Sequence, residues 1–212
     1  MNQKLIILLF LSCFISVQQS YGQKFSLGII GGATSSQISG DGFYGFAQFG
    51  AIAGADVNYQ INADWSAVFG LQFNQKGART YQSKKTSIIY KLRVNYIEAP
   101  ITINYKFNKV QLSAGLYLGV KTNQEESTSF GPIDPVHPFK TFDFGGQLGI
   151  NYAITDDWQI EFRFQNSLLP VRDHKGPQAY SPALFILGDW HQNMLNKGQY
   201  YTSLSLILRY TI

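Results

Sequence analysis

The 212-residue chain has little charge and no long apolar run. Charged residues make up 14% of it, against roughly 25% in soluble domains. Its 45% apolar content excludes a disordered chain. The longest apolar run, Leu5 to Val17, has thirteen residues, fewer than the roughly 20 that a membrane-spanning helix needs. Low charge together with 16 Phe, 13 Tyr and 20 Gly favours β-strands, and strands in contact with lipid.

Cysteine is almost absent, since Cys13 is the only one. It lies in the apolar run that follows Lys4, and a polar stretch then ends at Gly22. A basic start, an apolar stretch and a small residue at the exit are typical of a secretory signal peptide. We therefore predict that residues 1–22 are cleaved off and that residues 23–212 form one domain exported to the bacterial outer membrane.

A lipoprotein acylated at Cys13 is the alternative, but the apolar run continues beyond this cysteine, which disfavours it. A chain cleaved after Gly22 has no cysteine, so disulfides, thiol catalysis and cysteine-based metal sites are excluded. Loss of Lys4 leaves 16 basic and 13 acidic residues, a net charge of +3. That charge is too small to indicate a nucleic-acid partner, and no motif indicates a cofactor.

Period-two alternation is the dominant pattern. Between Ala47 and Ile61 every odd position is apolar, and the even positions are mostly polar or glycine. Successive side chains of a strand point to opposite faces, so one face is apolar throughout. The alternation recurs in eight segments, which begin near Phe25, Ala47, Trp65, Tyr90, Val110, Phe142, Trp158 and Leu204.

The connections between these segments alternate in length. Residues 62–64, 108–109 and 155–157 are tight turns of mostly Asn and Asp, whereas the other links are long, the last running from Pro170 to about Gly198. Short periplasmic turns and long extracellular loops characterise outer-membrane barrels. The sequence therefore predicts an all-β fold, an eight-stranded antiparallel transmembrane up-and-down β-barrel. A soluble sandwich is the alternative, but it would not leave one face of all eight strands apolar.

Aromatic residues recur at the predicted periplasmic end. The pattern Y-x-I-x-x-D-W occurs twice, at Tyr59–Trp65 and Tyr152–Trp158. Amphipathic rings suit the membrane–water interface. We expect an interfacial girdle of Tyr59, Trp65, Tyr105, Tyr152, Trp158 and Tyr210.

The fourth segment changes phase, because its apolar residues are even-numbered up to Tyr96 and odd-numbered from Ile97. One extra residue at this point, a β-bulge, would explain the change. The run Ala183–Leu187 in the last loop is a second irregularity. It fits a short helix, a covered patch or a partner site.

The inward faces carry charges of both signs. An eight-stranded barrel is just wide enough for side chains to fill, so it is not an open pore, and buried charges have to pair. Lys91 and Lys106 join this inward set. We expect a mainly structural network with Glu98 as its centre, bonded to Arg93 or Arg163. The predicted members are Asp56, Arg93, Glu98, Asp143, Glu161, Arg163 and Arg209.

Six basic residues and no acid lie between Lys76 and Arg93. The segment includes the second outer loop, where lipid phosphates would lie. A solvated loop is one interpretation, and phosphate contact is the other. The residues predicted for phosphate contact are Lys76, Arg79, Lys84 and Lys85.

Four segments carry a resemblance to a known family. Gly31–Ser35, Gln75–Ala78, Tyr96–Pro100 and Phe142–Gly145 resemble motifs of the PorT-like outer-membrane β-barrel family of Bacteroidetes. Thr34 stands where that family often has Asn. The resemblance implies a small outer-membrane barrel. Most members have no assigned function, and the founding member's link to protein secretion is not implied without a motif specific to it.

A barrel whose interior is filled and whose loops differ from one another is expected to act through its surface. We therefore predict a structural or cell-surface interaction role. The expected partners are outer-membrane lipid and an envelope protein bound through the 170–198 loop. An accessory role in protein secretion is the first alternative, and a lipid-modifying enzyme is the second. Catalysis would need His137, His174 or His191 to converge with a nucleophile. No spacing links these histidines into a triad or a metal site, so neither an enzyme nor a metal is predicted.

Overall fold

Each long strand pairs with its neighbours in chain order, and the first pairs with the last. The computed structural model describes residues 24–39, 45–80, 90–133, 138–173 and 198–212. In these ranges the long strands are β1 (Phe25–Ser39), β2 (Gln48–Gln60), β3 (Trp65–Arg79), β4 (Tyr90–Phe107), β5 (Val110–Thr128), β7 (Phe142–Ala153), β8 (Trp158–Ser167) and β10 (Gly198–Thr211). The two-residue strands β6 (Gly131–Pro132) and β9 (Arg172–Asp173) pair with β5 and β10. The result is the predicted closed, antiparallel, eight-stranded barrel. The described residues contain no helix long and apolar enough to cross a membrane.

Tight turns gather at one end of the barrel, here called the turn end, and the long connections gather at the other, the loop end. The turn between β4 and β5 has two residues, and Asn108 adopts a positive φ of 55°, which asparagine tolerates better than most residues. Between β2 and β3, the Asn62 side-chain oxygen accepts hydrogen bonds from the amides of Asp64 and Trp65. These local bonds explain why short Asn and Asp segments form the predicted turns.

The wall is apolar outside and polar inside over most of its height. Phe69 and Ile101 point outward and are more than half exposed, whereas Gln72 and Thr102 point inward and are buried. We call the outward apolar band the membrane belt. On β4 it runs from Tyr105 to Ile97, a rise of about 20 Å for eight residues in a tilted strand.

A register irregularity is present beside Tyr96, as predicted, but the alternation does not break in β4, so the placement of the extra residue in that strand is wrong. β4 keeps one register with β3 from Lys91 to Tyr105. The register instead shifts between β4 and β5, where Asn95 pairs with Asn123 and Tyr96 with Lys121. The unpaired residue is therefore on β5.

The upper parts of three strands rise beyond the membrane belt. This extension comprises Gln75–Arg79 of β3, Tyr90–Tyr96 of β4 and Lys121–Thr128 of β5. Leu92, Val94 and Tyr96 point into the barrel there and are completely buried. They explain the apparent phase change, because above the membrane belt the apolar row faces inward.

Candidate functional site

A completely buried lysine lies at the centre of the barrel interior. The ammonium group of Lys76 is 2.6 Å from Glu98 Oε1 and 3.1 Å from Asp143 Oδ2, and all three side chains have no exposed area. The same ammonium group lies 4.2 Å from the centre of the Tyr117 ring. Two carboxylates and an aromatic face offset the large cost of removing one cation from water. We call Lys76, Glu98 and Asp143 the ion triad.

Polar side chains satisfy both carboxylates of the ion triad. Glu98 Oε2 accepts hydrogen bonds from Gln72, Asn74 and Gln165 at 2.8, 3.1 and 3.3 Å. Asp143 accepts one from the Ser167 hydroxyl at 2.7 Å. Buried carboxylates with several donors are held rigidly.

Two further ion pairs lie between the ion triad and the turn end. The Arg163 guanidinium forms a two-pronged pair with Glu161, at 2.6 and 2.8 Å, and donates a third bond to Gln72 at 2.9 Å. Gln72 therefore links this pair to Glu98. Nearer the turns, Arg209 pairs with Asp56 at 2.6 Å. Below them a cavity of about 190 Å³ is lined mainly by polar side chains.

Apolar side chains fill the interior at the loop end. This loop-end cluster packs the ring of Tyr96 edge-on against Tyr201 and stacks Phe139 on Tyr201. Its members are Ile38, Ala78, Leu92, Val94, Tyr96, Phe139, Val171 and Tyr201. Phe139 and Val171 belong to connections between strands at the loop end. These connections therefore fold over the mouth of the barrel.

A polar clamp holds these connections to the extension. Glu126 accepts a hydrogen bond from the Tyr90 hydroxyl at 2.6 Å and pairs with Arg172 at 2.9 Å. Arg172 also lies over the Phe139 ring. Burial and the Glu126 carboxylate raise the pKa of Tyr90 far above its ordinary value, so this phenol stays protonated and donates its hydrogen bond.

Six of the seven residues predicted for the interior network lie inside the barrel: Asp56, Glu98, Asp143, Glu161, Arg163 and Arg209. The placement of Arg93 inside is wrong. In β4 the even-numbered side chains are buried, and Arg93, like Lys91, lies on the opposite, outer face. The predicted ion pairs of Glu98 with Arg93 or Arg163 are therefore absent among the described residues. The cationic partner of Glu98 is Lys76.

The prediction that Lys76 contacts lipid phosphate is also wrong, because this residue is buried inside the barrel. β3 continues to Arg79, and its even positions Gln72, Asn74 and Lys76 share the inner face. Extending the alternation of β3 by four residues, from Gln72 to Lys76, would have predicted that Lys76 points inward. Arg79 lies on the outer face and is exposed. Lys84 and Lys85 lie outside the described residues.

The predicted girdle residues lie on the outer face towards the turn end, each between 36% and 47% exposed. They pack as cross-strand pairs. The ring centres are 4.9 Å apart for Trp65–Tyr105 and for Trp158–Tyr210, and 4.8 Å apart for Phe25–Tyr59. Tyr152 lies beside them on β7, next to its partner Ile160.

Several predictions fall outside the described residues: the signal peptide, Ala183–Leu187, and all three histidines that the enzyme alternative needs. In the described ranges no group of three or more His, Cys, Asp or Glu side chains is placed to hold a metal ion. What the described interior can do chemically is hold charge in fixed pairs.

Residues 18–172 match the model of the family described as outer membrane protein beta-barrel domain. No curated protein matches the chain. Among solved structures, Ail of Yersinia pestis in complex with the heparin analogue sucrose octasulfate is similar, at 14% identity over 88% of this chain and 99% of Ail, with a TM-score of 0.48.

Neisserial surface protein A is similar at 16% identity over 89% of this chain and 97% of its own, with a TM-score of 0.48. CarO2 of Acinetobacter baumannii is similar at 8% identity over 87% of this chain and 99% of CarO2, with a TM-score of 0.47. At such identities the likeness concerns the fold.

Proposed function

The chain belongs to the outer membrane protein beta-barrel domain family, and from this premise we propose that it is a closed barrel with a structural or cell-surface interaction role. The loop end then faces the cell exterior and the turn end the periplasm, as in barrels of this class. Such a protein acts through its outer wall and its loops and conducts no solute through its interior.

The observation that carries this proposal is the pair of obstructions in the barrel. The ion triad has no exposed area and fills the middle of the interior together with its buried donors, and the loop-end cluster fills the space above. A solute that entered from the turn-end cavity would have to break buried ion pairs, which is costly because each separated charge would remain in a medium of low polarity.

Conductance of the folded barrel in planar bilayers tests the proposal. We expect no ion current from the wild-type chain, whereas a general porin in the same bilayers conducts. The double variant Y96A/Y201A, which empties the loop-end cluster, serves as the sensitised control. A wild-type current that grows in this variant would overturn the proposal, because the current would then pass through the interior.

The position of the PorT-like motifs supports a narrower family assignment. Lys76 lies in Gln75–Ala78, Glu98 in Tyr96–Pro100 and Asp143 in Phe142–Gly145. Three of the four resembling segments, far apart in the chain, thus meet at the ion triad. We infer that the chain is a PorT-like member whose motifs build this buried centre, so the motifs alone do not indicate a secretion role.

Export through a cleaved signal peptide is part of the same proposal. The intact mass of the chain purified from outer membranes should correspond to a first residue at Gln23. A mass that includes lipid on Cys13 would show the lipoprotein alternative instead, and a chain retaining Met1 in the membrane would contradict both.

A further inference from the structure

The cavity of about 190 Å³ at the turn end is open at its mouth and blocked at its floor. Its mouth is lined by residues of the turns between β4 and β5 and between β7 and β8. Its floor is formed by the ion pairs Arg163–Glu161 and Arg209–Asp56. The ion triad, which has no exposed area, lies beyond them. The cavity is therefore a recess that opens at the turn end.

Polar side chains form nearly the whole lining of this cavity. Only Val68, Val110 and Ala153 among the described lining residues are apolar, and none of the lining residues is aromatic. Its volume is smaller than the roughly 300–1,000 Å³ of pockets that take drug-sized, mainly apolar ligands. Size and polarity together favour a small hydrophilic solute.

The charges at the floor are already paired with each other. Arg163 binds Glu161 through two nitrogens, and Arg209 binds Asp56 in the same way. Each of these four side chains keeps 8–10% of its area exposed, so a ligand in the cavity can contact them. A charged ligand would leave water without a free counter-charge at the floor, which is unfavourable. Hydroxyl groups can bond to the remaining lone pairs and N–H groups, so the floor selects an uncharged ligand.

The two cations at the mouth do not alter this selection. Lys106 and Lys109 line the cavity, but both are exposed. Dissolved ions screen charges in such positions. These lysines therefore contribute little to the choice of a ligand that lies deeper in the cavity.

Two side chains of the lining have hydrogen-bonding groups without a partner in the protein. The Thr102 hydroxyl and the Gln159 amide make no hydrogen bond within the part of the chain that the structure describes, and both are accessible. Thr102 is nevertheless only 8% exposed. On the two strands between them, Asn151 donates a hydrogen bond to Ser113 at 3.4 Å. Four neighbouring strands thus present donors and acceptors to the same cavity.

We propose that the turn-end cavity is a binding site for one neutral sugar ring. The hydroxyl groups of a sugar donate and accept hydrogen bonds, as the amide and hydroxyl groups of the lining do. A site with buried polar groups discriminates strongly against a ligand that leaves them unpaired. The site goes beyond the proposed surface role, and it rests on that proposal only for the orientation that opens the cavity to the periplasm. A free saccharide and the end of a cell-wall glycan both supply such a ring.

Ligand-observed NMR of the folded full-length chain tests the site. The barrel is kept in micelles of a zwitterionic detergent without a sugar headgroup. Saturation transfer is measured in separate titrations with glucose, with N-acetylglucosamine and with 1,4-dioxane, a ring of similar size that has no hydroxyl group. We expect saturable transfer to a sugar and none to dioxane. Saturation by neither sugar, or by dioxane at the same concentration, would overturn the proposal.

A double variant removes the two groups that have no partner in the protein. T102V/Q159L should bind the sugar about tenfold more weakly, because two hydrogen bonds to the ligand are lost. The matched control Q75L/T122V makes the same replacements at the loop end, outside the cavity, and should bind as the wild type does. Circular dichroism verifies that both variants retain the barrel. Wild-type affinity in T102V/Q159L, or an equal loss in the control, would overturn the site.

A filled cavity provides a second variant that leaves the floor intact. Ala153 lines the cavity near its mouth and is half-buried, so the indole of Ala153→Trp has room to enter. Sugar binding should be lost in this variant while the barrel remains folded. Binding at the wild-type affinity would show that the sugar lies elsewhere.

Sedimentation with isolated cell-wall sacculi separates the two sources of the ring. Sedimentation of the wild type but not of T102V/Q159L would assign the ring to the cell-wall glycan. Binding of a monosaccharide without sedimentation would assign it to a free saccharide, and both results support the site. Absence of sugar binding leaves the closed barrel intact, and a conducting barrel leaves the binding measurement unaffected. Failure of the site is therefore distinguishable from failure of the proposed function.

Discussion

The membrane belt and the extension follow opposite rules although the same strands build both. Within the belt, Ile101 faces outward and Thr102 inward. Within the extension, Arg93 faces outward and Leu92 inward. β4 passes from one region to the other without a change of parity. The inversion is therefore a change in sequence along a regular strand.

The surroundings of the wall explain the inversion. Lipid chains are as apolar as leucine side chains, so an outward apolar row costs nothing in the belt, and the inside must hold the polar groups. Above the lipid the wall meets water, and apolar side chains gain by turning inward. The extension is thus built like a small water-soluble sheet, and Lys76 lies where the two regions join.

Loss of the charge at this junction should have the largest effect. We expect Lys76→Gln to lower the free energy of unfolding by about 3–5 kcal/mol, because Glu98 and Asp143 would remain buried without a counter-charge. Urea unfolding of the barrel from lipid vesicles measures this. Lys140→Gln is the matched control, since its pair with Asp173 is exposed and contributes at most about 1 kcal/mol. Equal costs would show that the interior of the junction is hydrated.

A positive charge introduced on the outer face should lower the free energy of unfolding far more in the membrane belt than outside it. Phe69→Arg, in the membrane belt, should cost about 2–4 kcal/mol because the cation would face lipid. The same change at Phe130, which is 88% exposed at the tip of the loop-end connection, should cost less than about 0.5 kcal/mol. Unfolding from vesicles again provides the values. Similar costs at both positions would contradict the assigned height of the belt.

Truncation of an inward valine tests the packing of the two interiors. Val94→Ala should cost about 1.5–3 kcal/mol, because Val94 is completely buried in the loop-end cluster and its loss leaves a void. Val68→Ala should cost less than about 1 kcal/mol, since Val68 lines the turn-end cavity, where little packing is lost. The same urea titration distinguishes them, and a cost at Val68 equal to that at Val94 would mean that both ends are packed alike.

Sequence patterns predicted the belt and failed in the extension for one physical reason. The rule that an apolar row faces lipid holds only where lipid is present. When this rule was applied to Leu92 and Val94, it wrongly placed Arg93 and Lys91 inside the barrel. It also required an extra residue in β4. The turns and the aromatic girdle were predictable because short-range chemistry determines them.

The ion triad could not be derived from local patterns. Lys76, Glu98 and Asp143 lie on β3, β4 and β7, and closure of the sheet brings them together across the interior. Glu98 was predicted as the centre because it lies in a family-like motif beside the expected bulge, but its partner depends on which side chains meet across the barrel. The pairing is thus a property of the closed sheet, which no single strand encodes.

The clamp at the top of the extension should show the smallest effect. Tyr90→Phe removes the hydrogen bond to Glu126 and should cost about 1.5 kcal/mol at pH 8. The pKa of Tyr90 is raised in the folded chain, so its contribution is full below the unfolded pKa of about 10 and falls as the pH rises above it. The difference between wild type and variant should therefore narrow by about 1 kcal/mol at pH 11. Because the other tyrosines are the same in both chains, a gap of constant size from pH 8 to pH 11 would show that the Tyr90 phenol does not hold the clamp.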